Sequence, residues 1–378
     1  MRVLNVNATL DPIEGGGTAE RTVQMSRYMV KSGIECGILT TDVGLPPDYS
    51  GELNGIELFA CECLWKRFFV PKRCLAKIKN SISRADIVHL MGHWSVLNVY
   101  AYFYLRRLRR PYVVCPAGSL PIYGRSKLLK RVYNTLLGNR IMRNANAVIA
   151  VTDGDKKHMS NYGVSEDKLV VIPNGIGSGS QDDVDNEKFR EKHGLEKSRI
   201  LLFMGRLNHI KGPDLLLHAF CKVRNAFPDH VLVFAGPDGG MLAEMKAFVT
   251  KCGAAERVRF VGYLGEVEKV QAYRASELLV IPSRQEPMSI VVLEAGREGI
   301  PVMVTDKCDF DVIEQIGGGV VVEASVKGLE RGLRDTLGNR RDLERMGGRL
   351  QRYVQDHFSW DSIVFRYVAL YEEIVNSP

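Results

Sequence analysis

Glu286 and Glu294 stand eight positions apart in Ile281-PSRQEPMSIVVLEAG-Arg297, an apolar run with the pattern of a strand passing into a helix. If most of the intervening chain is helical, eight steps of about 1.5 Å span roughly 12 Å and leave both carboxylates near one face. One carboxylate then suits the hydroxyls of a sugar, and the other those of a ribose. Between them, the N–H groups of Met288, Ser289 and Ile290 at the helix start would face a diphosphate. A first helical turn leaves its donors unused and carries the positive end of the dipole. The competing reading is one acid in a surface loop and one on a solvated helix face, a common pairing.

Two cations extend the argument. In Gly205-RLNHIKGPDLLLHA, Arg206 and Lys211 flank a short loop ahead of another helix. Arg offers a forked set of donors and Lys a mobile point charge, a combination suited to a diphosphate. A departing diphosphate gathers negative charge, and fixed cations stabilise it without a metal. Solvated loop cations are the alternative. Near the start of the chain, Asp11-PIEGGGTAE-Arg21 runs into a helix expected from about Thr18. Gly15, Gly16 and Gly17 let backbone approach a ligand closely, although a flexible turn explains them equally well. The run is not G-x-G-x-x-G, and no acid-tipped strand follows at the required distance, which argues against a dinucleotide oxidoreductase.

These loops need strands and helices to position them. Strand-like runs at Val3–Asn7, Cys36–Thr41, Asp86–Met91, Tyr112–Cys115 and Ala147–Val151 alternate with amphipathic helical stretches. After a Gly-, Ser- and acid-rich break over Pro173–Ser198, a second series begins. Its strands are Ile200–Gly205, Val231–Gly236, Val258–Val261, Leu278–Pro282, Val302–Thr305 and Val320–Val322. Such alternation predicts two α/β domains, each a doubly wound parallel sheet with ligands bound beyond the carboxyl ends of its strands. The expected boundaries are 1–172, a hinge over 173–198, and 199–356, with an apolar-periodic closing helix over 357–378.

A chain of 378 residues with 45% hydrophobic composition suits two such cores. Its eight cysteines are scattered, with no CxxC pair and no zinc-site spacing, and read as reduced thiols. No secretory n-region and no bilayer-length apolar window is present, which points to a cytoplasmic protein, at most peripheral to a membrane. Charge is unevenly placed. From Leu64 to Arg143, seventeen Lys and Arg face one acid, Asp86; that +16 leaves −9 for the rest of a chain carrying +7. So one-sided a field attracts anionic lipid head groups or phosphorylated acceptors, and nucleic acid less, because no nucleic-acid motif accompanies it. Within it, Pro71–Ala85 sets Leu75, Ile78, Ile82 and Ala85 at helical spacing among basic residues, after Trp65, Phe68 and Phe69. That pattern reads as a membrane-surface element or as a sheet-covering helix with a basic outer face.

The motifs GRLNHIKG, VVIPNGI (Val170–Ile176), VRFVGYL (Val258–Leu264) and PSRQEPMSIVVLEAGREGIPVMVT (Pro282–Thr305) occur in an order and spacing that resemble glycosyltransferase family 4. This is a retaining group with the GT-B fold, two Rossmann-like domains facing across a cleft. The resemblance implies a nucleotide-sugar donor on the C-terminal domain, an acceptor on the N-terminal domain, and transfer between them. It assigns Arg206 and Lys211 to the diphosphate, Glu294 to the ribose hydroxyls and Glu286 to the donor sugar. Gly16 and Gly17 correspond to the loop over the phosphates, and the segment around Tyr263 to the wall at the nucleobase. The closing helix is implied to cross back to the first domain.

Two positions depart from that family. Where many members carry a His after the strand Tyr112–Cys115, this chain has Ala117, while Asp86-IVHLMGH-Trp94 supplies His89 and His93. His93, just past its strand where the cleft is expected, is the candidate for a catalytic role on the acceptor side or at the donor sugar, against a packed or solvated histidine. Met288-Ser289 also replaces a more usual Phe-Gly type, which bears on sugar selectivity. Three DxD look-alikes, Asp153/Asp155, Asp183/Asp185 and Asp309/Asp311, are set aside as metal sites. The expectation is a metal-independent retaining hexosyltransferase with no cofactor, using a UDP- or GDP-sugar and a lipid-linked or polysaccharide acceptor. A non-catalytic sugar-nucleotide binder and a GT-B epimerase are the alternatives.

Overall fold

In a computed structural model the described residues are 1–46, 48–122, 126–177 and 184–377. The chain divides into two compact units, Met1–Gly177 with Trp360–Pro378, and Ser178–Ser359. Each unit is built on a parallel sheet whose strands are nearly continuous apolar runs, as expected where helices cover both faces.

The first sheet has seven strands. From one edge to the other they are Ile56–Cys61, Glu35–Thr41, Arg2–Val6, Ile87–Met91, Tyr112–Cys115, Ala147–Ala150 and Leu169–Val171. The chain winds outward in one direction from Arg2–Val6 and then returns to its other side at Ile87–Met91. Those two strands therefore enclose the topological switch point. The edge strands Ile56–Cys61 and Leu169–Val171 were not among the expected runs. In the first, Glu57 and the half-buried Leu58 and Phe59 blur the apolar signal.

The helix Leu75–Ser83 takes the second of its two readings, a sheet-covering helix. Ile78 and Ile82 are 0% exposed and Ala85 1%, packed into the core with Val88, Leu90 and Leu105. Their spacing serves the sheet, and only Leu75 of that apolar set faces solvent.

The closing helix, Trp360–Asn376, packs on the first unit through polar as well as apolar contacts. Trp360 stacks on Tyr28 at 6.3 Å, over Gly175, where a Cβ would lie 2.4 Å from the indole. The buried Arg21 guanidinium donates to the Tyr367 hydroxyl, and His89 Nδ1 lies 2.6 Å from the Tyr371 hydroxyl. The Arg21 Nε and Nη1 have no hydrogen-bond partner among the described residues.

The second sheet has six strands in the order Val258–Gly262, His230–Ala235, Arg199–Met204, Ser276–Ile281, Val302–Thr305 and Gly319–Val322. Its switch point lies between Arg199–Met204 and Ser276–Ile281. The acid-rich break contains a short helix, Glu187–His193, that packs with this unit. All eight cysteines are free thiols.

Candidate active site

The loops that leave the strands Arg199–Met204, His230–Ala235 and Ser276–Ile281 of the second sheet are pressed together. Gly205 and Gly236 approach so closely that a Cβ on Gly236 would lie 2.0 Å from the Gly205 carbonyl oxygen. Gly212 has φ +66°, and a Cβ there would lie 2.1 Å from the Pro282 carbonyl oxygen. Only glycine fits that left-handed turn at that distance. Arg284 clamps the same loops. Its N–H donates to the Ile210 carbonyl at 2.8 Å, and its guanidinium grips Asp214 with two bonds of 2.8 and 2.6 Å.

Inside this clamp Lys211 and Glu286 meet as an ion pair, with the Glu286 side chain 12% exposed. Ser283 Oγ donates to the second Glu286 oxygen at 2.6 Å. Burial alone would raise the Glu286 carboxyl; the Lys211 charge, helped by Ser283 and Ser289, outweighs it and holds the group below its ordinary range. An ammonium carries three donors, so Lys211 is fixed by Glu286 with donors left for a ligand. Arg206 lies half-buried on the same loop, and its Cγ would lie 2.9 Å from a Cβ on Gly239.

The spacing argument from Glu286 to Glu294 needs correction. The helix is only Ile290–Arg297, capped by Ser289, and Met288 sits in the left-handed region at φ +46°. Glu286 therefore lies in a loop, and a helical rise of eight steps does not apply. Nor is the Met288 N–H a free helix-start donor: it bonds the Cys308 carbonyl at 3.2 Å, as Glu286 N–H bonds the Lys307 carbonyl at 3.0 Å. The Ser289 carbonyl accepts from Val292 N–H at 3.1 Å. The amides of Ser289, Ile290 and Val291 are thus the donors the helix itself leaves over.

Glu294 is nearly buried one turn into that helix. Lys269 Nζ lies 2.8 Å from one oxygen, and the Tyr273 hydroxyl donates to the other at 2.6 Å. Both partners come from the helix Glu266–Ala275, four positions apart and hence on one face. Burial pushes the Tyr273 phenol well up, and the neighbouring Glu294 adds to it, so the hydroxyl remains a donor. A carboxylate accepts about four hydrogen bonds, and ribose hydroxyls would be further donors to it. Tyr263, 46% exposed, follows the end of Val258–Gly262 at the same carboxyl edge of the sheet.

In the first unit the glycine loop and His93 follow the two switch-point strands. Gly16 has φ +55° and caps the helix Gly17–Lys31, while a Cβ on Gly15 would lie 2.7 Å from that of Ala19. Close packing therefore explains Gly15, and the left-handed cap explains Gly16. His93 is buried against the rings of Trp94, Tyr133 and Tyr162. Its Nε2 lies 2.9 Å from Asn134 Oδ1. Asn134 Nδ2 donates to Tyr162, whose hydroxyl donates to the Leu120 carbonyl. That chain assigns the Asn134 oxygen as acceptor, so Nε2 carries the His93 proton and Nδ1 is the acceptor. Burial pulls the imidazole down to about 4 against a smaller opposing effect of Asn134, leaving it neutral at physiological pH.

Asp155 and Thr152 form a helix start, with Thr152 Oγ1 accepting from Asp155 N–H at 3.2 Å. Asp311 caps the short helix Val312–Gln315, and Asp183 lies outside the described residues. Among the described residues, no group of three or more His, Cys, Asp or Glu is arranged to hold a metal ion. Sequence reasoning did not find Lys269, Tyr273, Ser283, Arg284, Asp214 or Asn134. The i,i+4 pair Lys269/Tyr273 carries a periodic signal, but nothing local says that it faces Glu294.

The family profile "Glycosyltransferase Family 4" matches residues 15–177, and "Glycosyl transferases group 1" matches 185–352. The chain is 26% identical over 346 residues to D-inositol 3-phosphate glycosyltransferase of Actinosynnema mirum, covering 80% of each chain. A protein of the same name from Geodermatophilus obscurus is 26% identical over 397 residues, covering 96% of this chain and 86% of its own. The fold is similar to that of Anabaena HepE, solved with UDP and glucose, at a TM-score of 0.80 and 17% identity over 99% of this chain and 100% of the other. With both halves matched in order and both sheets parallel, the chain belongs to the group-1, family-4 glycosyltransferases of GT-B fold.

Proposed function

We propose that this protein is a metal-independent, retaining hexosyltransferase that moves a hexose-type residue from a UDP- or GDP-sugar to a lipid-linked or polysaccharide precursor. The observation that carries this reading is the Lys211–Glu286 pair, held beside the Ser289–Val291 amides by the Gly212 and Arg284 clamp. In the donor, Lys211, Arg206 and those amides take the diphosphate, Glu294 takes the ribose hydroxyls, Tyr263 lies against the base, and Glu286 faces the sugar. Gly16 and Gly17 give the first unit a loop whose backbone can approach a ligand closely.

The bond between the anomeric carbon and the diphosphate oxygen breaks, and a bond from the same face of that carbon to the acceptor oxygen forms. The acceptor proton passes to the departing phosphate oxygen, so no protein base is needed on that face. His93, neutral and enclosed, serves as a positioning residue for the loop that carries it. The basic stretch from Leu64 to Arg143 would hold the enzyme at an anionic membrane face. Related proteins named for inositol 3-phosphate glycosylation, and a similar fold solved with UDP, support a nucleotide-sugar donor and leave the acceptor to experiment.

A panel of UDP- and GDP-sugars with detection of released nucleoside diphosphate tests the reading. Turnover with at least one donor, undiminished by EDTA, is expected. Tight binding without release under every acceptor would mark a non-catalytic binder, and a strict manganese requirement would overturn metal independence.

A further inference from the structure

The first unit contains a cavity of about 520 Å³ that the donor chemistry does not use. Its lining includes Phe68, Trp94, Tyr133 and Leu129 together with two cations, Arg67 and Lys130. Each cation is stacked on an aromatic ring: Lys130 Nζ lies 5.2 Å from the Trp94 centroid, and the Arg67 guanidinium 5.3 Å from that of Phe68. Arg67 is also braced by Ser126 Oγ at 2.7 Å, and Trp94 donates its indole N–H to the Ser119 carbonyl at 2.6 Å. The rings and charges are therefore held in place around the space.

The lining selects a kind of ligand. Among the described residues, none that lines the cavity is a carboxylate or a carboxamide, the groups that read sugar hydroxyls. What remains is mainly apolar surface with two positive charges and the hydroxyl-bearing Ser95 and Ser126, which suits an anionic head on a hydrocarbon body. The apolar surface also continues outward. On the helix Lys127–Tyr133 and the turn after it, Leu128, Leu129, Val132 and Leu136 are 71%, 56%, 46% and 58% exposed. Their spacing puts them on one face, flanked by Lys127, Lys130 and Arg131. The cavity also joins the switch-point loop, because Tyr133, one of its walls, donates its hydroxyl to the His93 carbonyl at 2.8 Å.

We propose that this cavity binds the phosphate end of a lipid phosphate, with Arg67 and Lys130 on the phosphate, the rings around the first carbons of the chain, and the Leu128–Leu136 row carrying the remainder. The inference rests on the reading of the first unit as the acceptor half, and it narrows the acceptor to an amphiphile.

The probe is farnesyl phosphate, kept monomeric, titrated into the full-length protein by calorimetry. Farnesol and inorganic phosphate are the two controls, and UDP binding is measured on the same samples. Farnesyl phosphate should bind at least about tenfold more tightly than either control, and the Arg67→Gln/Lys130→Gln double variant should lose about tenfold or more of that affinity with UDP binding unchanged. Leu129→Asn should weaken farnesyl phosphate binding as well, because it puts a polar group into the apolar wall. Equal binding of farnesol and farnesyl phosphate, or an unweakened double variant, would overturn the proposal. So would binding seen only with phosphatidylglycerol vesicles and never with the monomeric probe. Failure of the donor reading would appear separately, as wild-type protein that takes up neither UDP nor GDP.

Discussion

Replacing Gly212 with Ala should damage the donor half out of proportion to its effect on stability. Alanine at φ +66° costs about 1–2 kcal/mol for the left-handed backbone alone. Its Cβ would also lie 2.1 Å from the Pro282 carbonyl oxygen, where real Cβ contacts are essentially never under 3.0 Å. The two loops must therefore part by about 1 Å, and a displacement of that size at a catalytic constellation costs about a hundredfold. Lys211 is the next residue back and Glu286 stands four residues beyond Pro282, so the parting acts directly on their ion pair.

Gly253→Ala is the matched control, because its φ is +64° and nothing lies within 4 Å of its Cβ. Thermal unfolding of both variants should show the strain alone in Gly253→Ala, a fall of about 2–8 °C, and a larger fall in Gly212→Ala. Nucleoside diphosphate release should fall about a hundredfold in Gly212→Ala and hardly at all in Gly253→Ala. Wild-type turnover in Gly212→Ala, or equal losses in the two variants, would refute the view that this contact sets the donor loops.

Other perturbations follow from the same geometry. His93 takes up its proton only near pH 4 in the fold, whereas an unfolded histidine does so near 6.5; the neutral-His contribution is therefore whole above pH 6.5 and is lost as pH falls toward 4, by up to about 3 kcal/mol. His89, also buried and held well below its ordinary value, adds in the same direction, so denaturant midpoints should fall across that window, and less so in His93→Gln. Tyr367→Phe removes the hydroxyl that accepts from buried Arg21 and should cost about 1.5–3 kcal/mol in urea unfolding. Glu286→Gln leaves Lys211 without its counter-charge at a nearly buried site, so it should lower turnover by about a hundredfold or more and lower the melting temperature as well.

Much of this architecture is legible from residue pattern. The strands around both switch points are apolar runs, one at each followed directly by Gly (Gly92 and Gly205), and the loops holding Arg206, Lys211, Glu286, Gly16 and His93 fall where such sheets bind ligands. What escaped is tertiary in origin. Periodicity places Ile78 and Ile82 on one face without saying whether sheet or lipid covers it, and the sheet does. The break in the Glu286–Glu294 helix comes from Met288, whose left-handed backbone is fixed by the Cys308 carbonyl, a partner twenty residues away. Lys269 and Tyr273 meet Glu294 only because two helices of the second unit converge. The exposed row of Leu128, Leu129, Val132 and Leu136 lies inside the basic stretch but on a different helix from the one whose periodicity drew attention.

The central claim is that Arg206 and Lys211 hold the diphosphate of a sugar nucleotide as it departs. Its most direct test is the rate of nucleoside diphosphate release by wild-type protein and by Arg206→Ala/Lys211→Ala, using whichever UDP- or GDP-sugar the wild type turns over. A loss of at least about a thousandfold, with the fold intact by circular dichroism, is predicted. Release at the wild-type rate from the double variant would contradict the account.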